Sequence, residues 1–213
     1  MGNEQARVNG ITEGNIVKQL LLFFFPILLG TFFQQLYNTA DAVVVGRFVG
    51  KQALAAVGGS TSTLINLLVG FFVGLSSGAT VIISQYYGAK KPDKVHWAVH
   101  TSIAFSIAGG LLFMVLGIAG SRWALTAMKT PEDIMGHSLV YIWIYFTGMV
   151  PNLLYNMGAG ILRAVGDSKR PLYYLITSCL VNIVVDIVLV AVLDMGVAGA
   201  AIATVSSQIF SAI

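Results

Sequence analysis

Six stretches of mostly apolar residues follow one another with only short polar turns between them, at roughly 17–45, 53–86, 95–119, 133–162, 172–193 and 197–213. About 20 apolar residues carry a helix across a bilayer core, where every backbone N–H and C=O must be bonded within its own segment. The pattern predicts an all-α integral membrane protein with six transmembrane helices: a cytoplasmic segment 1–16, then a six-helix lobe over 17–213. Composition agrees, with 56% hydrophobic and 10% charged residues and a mean hydropathy of +0.81.

The leading segment is polar and lacks the short apolar core and cleavage site of a signal peptide, which predicts that the first span is retained. Lysines and arginines set the orientation. If the helices alternate, Arg7, Lys18, Lys90, Lys91, Lys94, Arg163, Lys169 and Arg170 fall on one side, against Arg47, Lys51, Arg122 and Lys129 on the other. That bias puts both termini in the cytoplasm, and it accounts for the basic charge balance without nucleic acid. The last span has only about 17 residues and ends SSQIFSAI with no charged flank. A chain that stops short of a longer protein's end, or half of one, is the expectation. The single cysteine, Cys179, lies inside the fifth span and reads as a small buried hydrophobe.

Spans two and four exceed what a bilayer requires and must tilt, kink or protrude. Gly70, Gly74 and Gly78 make two successive GxxxG steps, which predict close helix packing. Pro26 and Pro151 interrupt the first and fourth spans, and each removes a helical hydrogen bond, so a kink is expected at both. Such a kink is either a fixed bend or a hinge.

Polar residues inside these spans fall at helical spacing. Gln34, Tyr37, Asn38 and Asp41 share one face of the first, and Asn182 and Asp186 are one turn apart in the fifth. Ala200, Thr204 and Gln208 repeat that step in the sixth, and Asn152, Tyr155 and Asn156 stripe the fourth. A carboxylate at membrane depth costs a few kcal/mol even on lenient scales, and normally faces a cavity on an ion or substrate path. Two acids in one apolar cavity hold either a proton or a hard cation such as Na⁺, for which carboxylate, amide and hydroxyl oxygens are apt ligands. The blander reading is an acid satisfied by a neighbouring amide that only joins helices. Asp194, at the outer end of span five, reads as an interfacial helix-end charge.

Other candidates are weak. His96 and His100 copy a zinc-protease spacing, but Trp97 stands where the catalytic glutamate would be, so an interfacial anchor is the better reading. His137 stands alone. No nucleophile elbow, P-loop or dinucleotide fingerprint is present, and no enzyme, cofactor or nucleic-acid partner is expected.

Several ordered motifs carry a resemblance: QQLYNTADAVVVGRFVGKQALAAVG, ISQYYGAKKPDK, LRAVGDSKRPL, and NIVVD followed by GVAGAAIAT. Together they resemble the amino-terminal lobe of a multidrug and toxic compound extrusion (MATE) transporter of the bacterial DinF-like kind. The resemblance implies two six-helix lobes facing a cleft, and Na⁺ or H⁺ exchanged for small organic, often cationic, compounds by alternating access in the bacterial cytoplasmic membrane. It also implies that Asp41, Asn182, Asp186 and Thr204, with Ala200 nearby, form a cation cluster. Tyr37 and Asn156 would line the cavity and Pro26 would mark a bend in the first helix. The partner would be a second lobe, either a carboxyl-terminal half or a second copy. Two alternatives stand beside this antiporter lobe: a lipid-linked precursor flippase of the same superfamily, and a membrane interaction module that does not transport. The flippase calls for arginines in the cavity, whereas all five arginines fall at or beyond span ends.

Overall fold

The computed structural model describes residues 16–212; the rest of the polar leading segment, with Arg7, lies outside them. All regular structure among the described residues is helical. Helix α1 (Ile16–Val44) runs into a π-helical segment, Val45–Val49, and is followed by α2 (Lys51–Gly58) and α3 (Ser60–Gly88). Then come α4 (Pro92–Ala127), α5 (Glu132–Thr147), α6 (Met149–Ala164) and α7 (Lys169–Asp186). A second π segment, Ile187–Val192, leads to α8 (Gly196–Ala212).

Four runs are long and apolar enough to cross a membrane: Val17–Val49, Lys51–Gly88, Pro92–Ala127 and Lys169–Val192. The pair α5 and α6 makes a fifth when counted as one bent span. At 17 residues α8 is shorter than these.

Local chemistry explains the breaks. The long second span divides at Gly59, where a Cβ would come within 2.6 Å of the Ala55 carbonyl oxygen, so only glycine passes the chain through. The fourth span bends by 53° between α5 and α6, but the break lies at Gly148 and not at Pro151. Pro151 sits in the first turn of α6, where a missing N–H has no helical partner to lose. Pro26 lies inside α1, which runs unbroken on both sides of it. At the start of α7, Asp167 accepts the backbone N–H groups of Lys169 and Arg170 and pairs with the Arg170 guanidinium at 3.1 Å. That carboxylate satisfies donors the helix itself leaves open.

α1 lies along α7, α7 along α8, and α6 against α3 and α4. The apolar core gathers where the two π segments meet α2, α5 and α8, around Val45, Ala53, Ile142, Phe146, Met149 and Ala200. The GxxxG expectation is corrected: Gly70, Gly74 and Gly78 are exposed, and a Cβ on any of them meets nothing within 4 Å. Close approach occurs elsewhere, at Gly110 against the Val150 backbone and at Gly160 against Ser76 and Thr80. Spacing alone identifies a smooth helix face and not what covers it.

Candidate functional site

Asp41 sits in the last turn of α1 and Asp186 is the last residue of α7, each just before a π segment. The two π segments lie against each other and against α8, which brings the two helix ends together. Single-turn π insertions inside α-helices recur at functional sites because they re-aim side chains. Asp41 is 8% exposed, Asp186 1% and Asn182 0%.

The carboxyl groups of Asp41 and Asp186 lie next to each other, within interacting range. Both are acceptors, and no donor lies between them. Asp41 Oδ1, both oxygens of Asp186 and both polar atoms of the Asn182 amide are buried without a hydrogen-bond partner among the described residues. The described basic side chains lie near helix ends and connecting turns, so none neutralises the pair. A buried carboxylate without a counter-charge is expensive, and removing the charge or supplying a cation relieves the cost.

Helix α8 supplies the floor. The Thr204 hydroxyl donates to the Ala200 carbonyl at 3.0 Å, leaving its lone pairs to the cluster. Two tyrosine hydroxyls, of Tyr37 and Tyr141, lie within reach of Thr204. Ser207 donates to the Thr204 carbonyl at 2.8 Å, and Ser178 of α7 donates to the Ser207 carbonyl at 2.7 Å, which ties α7 to α8 beneath the acids. Ala200 is fully buried. Every lone pair that the acids, Thr204 and the Asn182 carbonyl offer belongs to a hard oxygen, the ligand type that hard cations such as Na⁺ prefer, and paired carboxylates can also take up a proton.

The remaining sequence candidates divide. Tyr37 is half-buried beside Asp41, whereas Asn38 is exposed and donates to Gln35 at 3.2 Å. One edge of the first helix's stripe is covered, and Asn38 lies on the uncovered edge, away from the buried acids. Gln34, Tyr155 and Asn156 line a separate small cavity between α1, α6 and the start of α7, which also holds Pro26 and Arg163. Asn152 bridges the two regions: its amide donates to the Tyr145 hydroxyl at 3.4 Å and accepts from Asn156 at 2.8 Å. Gln208 lies near Tyr145, with its carbonyl oxygen buried. Pro151 lines neither place.

Tyr141, Tyr145, Ser178, Ser207 and Arg163 were not singled out from the sequence. A tyrosine pair one helical turn apart in an apolar span was the available signal, because a buried hydroxyl must find a partner. The two tyrosine rings lie 6.2 Å apart. Among the described residues no three His, Cys, Asp or Glu side chains gather as a metal cluster. His96 and His100 sit with ring centres 4.1 Å apart next to Trp97, which is 74% exposed.

Residues 26–188 match the MatE family. YpnP of Bacillus subtilis (strain 168), a probable multidrug resistance protein, is 35% identical over 199 residues, covering 92% of this chain and 44% of YpnP. YoeA of the same organism, also a probable multidrug resistance protein, is 35% identical over 202 residues, 93% of this chain and 43% of YoeA. A MOP superfamily transporter from Pyrococcus furiosus Vc1 (DSM3638), described by a reverse polarity of its binding pocket, superposes with a TM-score of 0.89 at 25% identity. That superposition covers 96% of this chain and 45% of the other. The chain thus spans less than half the length of the relatives it matches.

Proposed function

The chain belongs to the MatE family, and from that premise we propose that it is the amino-terminal six-helix lobe of an exporter that exchanges Na⁺ or H⁺ for small organic, often cationic, compounds by alternating access. The observation that carries this reading is the uncompensated acid pair: Asp41 and Asp186 face each other at the buried ends of two membrane-spanning helices, beside an Asn182 amide with no partner of its own. Such a pair has no use in packing, because well-packed apolar residues would serve that better. It suits a site that fills and empties. An ion drives a conformational change only as far as it binds the two states differently, and these acids join α1, α7 and α8, the helices that would have to shift.

The second lobe is either the other half of a longer chain or a second copy of this one, and α8 is then the sixth crossing with both termini cytoplasmic. In that assembly Asp41, Asn182, Asp186, Thr204 and the Ala200 backbone hold the coupling ion. Tyr37, Asn156 and Gln34 belong to the substrate wall.

The test is efflux of a fluorescent cation from proteoliposomes holding the complete transporter, under a Na⁺ gradient and, separately, a pH gradient. Asp41→Asn removes the charge while keeping shape, and we expect gradient-driven efflux to stop while the variant still inserts and purifies. Efflux at the wild-type rate in both gradients overturns the proposal. A flippase of anionic lipid-linked precursors is favoured by one observation only, an arginine at the edge of a small cavity.

A further inference from the structure

Pro26 borders two hollows of different character. One is the small inner cavity that holds Gln34, Asn156 and Arg163. The other is an open groove of about 790 Å³ beside the first turns of α1, bounded by Lys18 of α1 and by Lys169, the first residue of α7. Between the two lysines its walls are hydrocarbon and aromatic ring, chiefly Leu21, Leu22, Phe24 and Phe25, each more than half exposed. An apolar wall left open at a membrane span is covered by lipid or by another protein surface, and the charges at its rim discriminate between them.

Neither lysine ammonium has an ion pair or hydrogen bond among the described residues, and the acid in the adjoining turn, Asp167, is committed to Arg170 and to capping α7. Both lysines stand where a membrane-spanning run begins, so their long apolar stems carry the charged heads to the level of lipid headgroups. A cationic substrate is repelled there. A second copy of this chain, docking the same face on itself, would bring four ammonium groups together. An anionic phospholipid satisfies both parts of the groove, since its phosphate oxygens accept from the lysines and its chain covers the apolar wall. Basic pockets between transmembrane helices recognise headgroups in this way. From Lys18 to Phe25 α1 rises roughly 10 Å, enough to cover the part of an acyl chain nearest its headgroup.

We propose that the groove between the starts of α1 and α7 binds one anionic phospholipid, its phosphate held by Lys18 and Lys169 and one acyl chain laid against Leu21, Leu22, Phe24 and Phe25. A headgroup held in this way ties the starts of α1 and α7 to each other through the membrane surface. The assignment is independent of the export reading, because it uses neither the acid cluster nor the inner cavity.

Native mass spectrometry of the full chain, released from detergent micelles that hold equal amounts of phosphatidylglycerol and phosphatidylcholine with identical acyl chains, counts the lipids each molecule retains. One phosphatidylglycerol is expected to be kept with a preference of about twentyfold, from about fivefold for each lysine near an anionic lipid. Lys18→Gln and Lys169→Gln should each lower that preference by about fivefold, and the double variant should abolish it. Lys90→Gln with Lys91→Gln, which removes two exposed charges from the turn between α3 and α4, should leave it unchanged. Equal retention of the two lipids by the wild-type chain overturns the assignment, and that comparison needs no variant, so a poorly folding substitution does not shelter it. A preference that survives the double substitution also overturns it, as does one that falls as far in the Lys90 and Lys91 control, which would reduce it to general surface charge. Glycerol phosphate, the headgroup without its chains, should not displace the lipid at equal concentration; displacement would assign the lysines to a free phosphate ester and the groove to no lipid. A dimer that carries no phosphatidylglycerol would show the groove covered by a second copy, and the assignment fails.

Discussion

Around Asp41 and Asp186 the lobe is sealed, with side chains 8% exposed or less and helices α1, α7 and α8 closed over them. Around Arg163, the same α1 and α7 diverge enough to leave a half-open cavity of about 110 Å³. Both places carry charge without a counter-charge, of opposite sign. They differ in what relieves it: water reaches a half-exposed guanidinium, whereas the acids can turn only to a proton, a cation or a conformational change. On the proposed function the sealed region is the candidate ion site, and the half-open one stays accessible from outside the lobe.

The sharpest way to break this contrast is to neutralise the sealed pair. Asp186→Asn should abolish ion-dependent thermal stabilisation of the purified protein, while the wild type gains about 2.7 kcal/mol at a hundred times its dissociation constant. A variant that still shifts its melting temperature with added Na⁺ or with acid would remove Asp186 from the site. Packing gives the next largest effect. At Gly199, beside Ala200, a Cβ would meet Met195 and Leu189 at 3.1–3.2 Å, so Gly199→Ala should destabilise by about 1–3 kcal/mol, measured by thermal unfolding in detergent. Unchanged stability there would mean that the packing between α8 and the second π segment is looser than drawn.

Asn152 joins the two regions through Tyr145 and Asn156. Asn152→Ala should cost about 1 kcal/mol of stability and reduce the effect of Na⁺ or pH on dye affinity, read as the ratio of dissociation constants with and without the ion. A ratio identical to the wild type would show that the two places act independently. The smallest effect has the opposite sign. Gly30 borders the inner cavity, and a Cβ there meets only Leu175 at 3.6 Å and Leu172 at 3.9 Å, ordinary contacts. Gly30→Ala should stabilise by about 0.5–1 kcal/mol, because alanine gives up less backbone freedom within a helix. A loss of stability at Gly30 would show this part of α1 to be as tightly packed as the surroundings of Gly199.

Much of the acid cluster was legible because two strong rules act on single residues. A charge inside an apolar span is costly enough to need a reason, and the helical period then assigns its neighbours to faces; that singles out Asp41, Asp186 and Asn182, whereas joining them with Thr204 in one cluster is what the family resemblance implies. Asn38 obeys the same period and still faces outward, because the stripe on α1 is wider than the surface that covers it. Gly70, Gly74 and Gly78 show the same limit, since a spacing that permits close packing does not supply the partner. The bend assigned to Pro151 lies at Gly148, which a proline three residues later tolerates without causing.

The sequence by itself determined that this chain is helical and membrane-spanning, since hydrocarbon admits only helices or closed barrels and continuous apolar runs of about 20 residues fit the helix and not the alternating barrel strand, and that acids inside it must be relieved somehow. The tertiary structure alone decided which polar residues meet. Asp41 and Asp186 face each other because two π segments nest against α8, Tyr141 arrives from a helix whose sequence reads as apolar core, and Arg163 turns out to edge a cavity. These meetings depend on side chains a hundred or more residues apart, and their free energy comes from packing between helices, which local spacing does not encode.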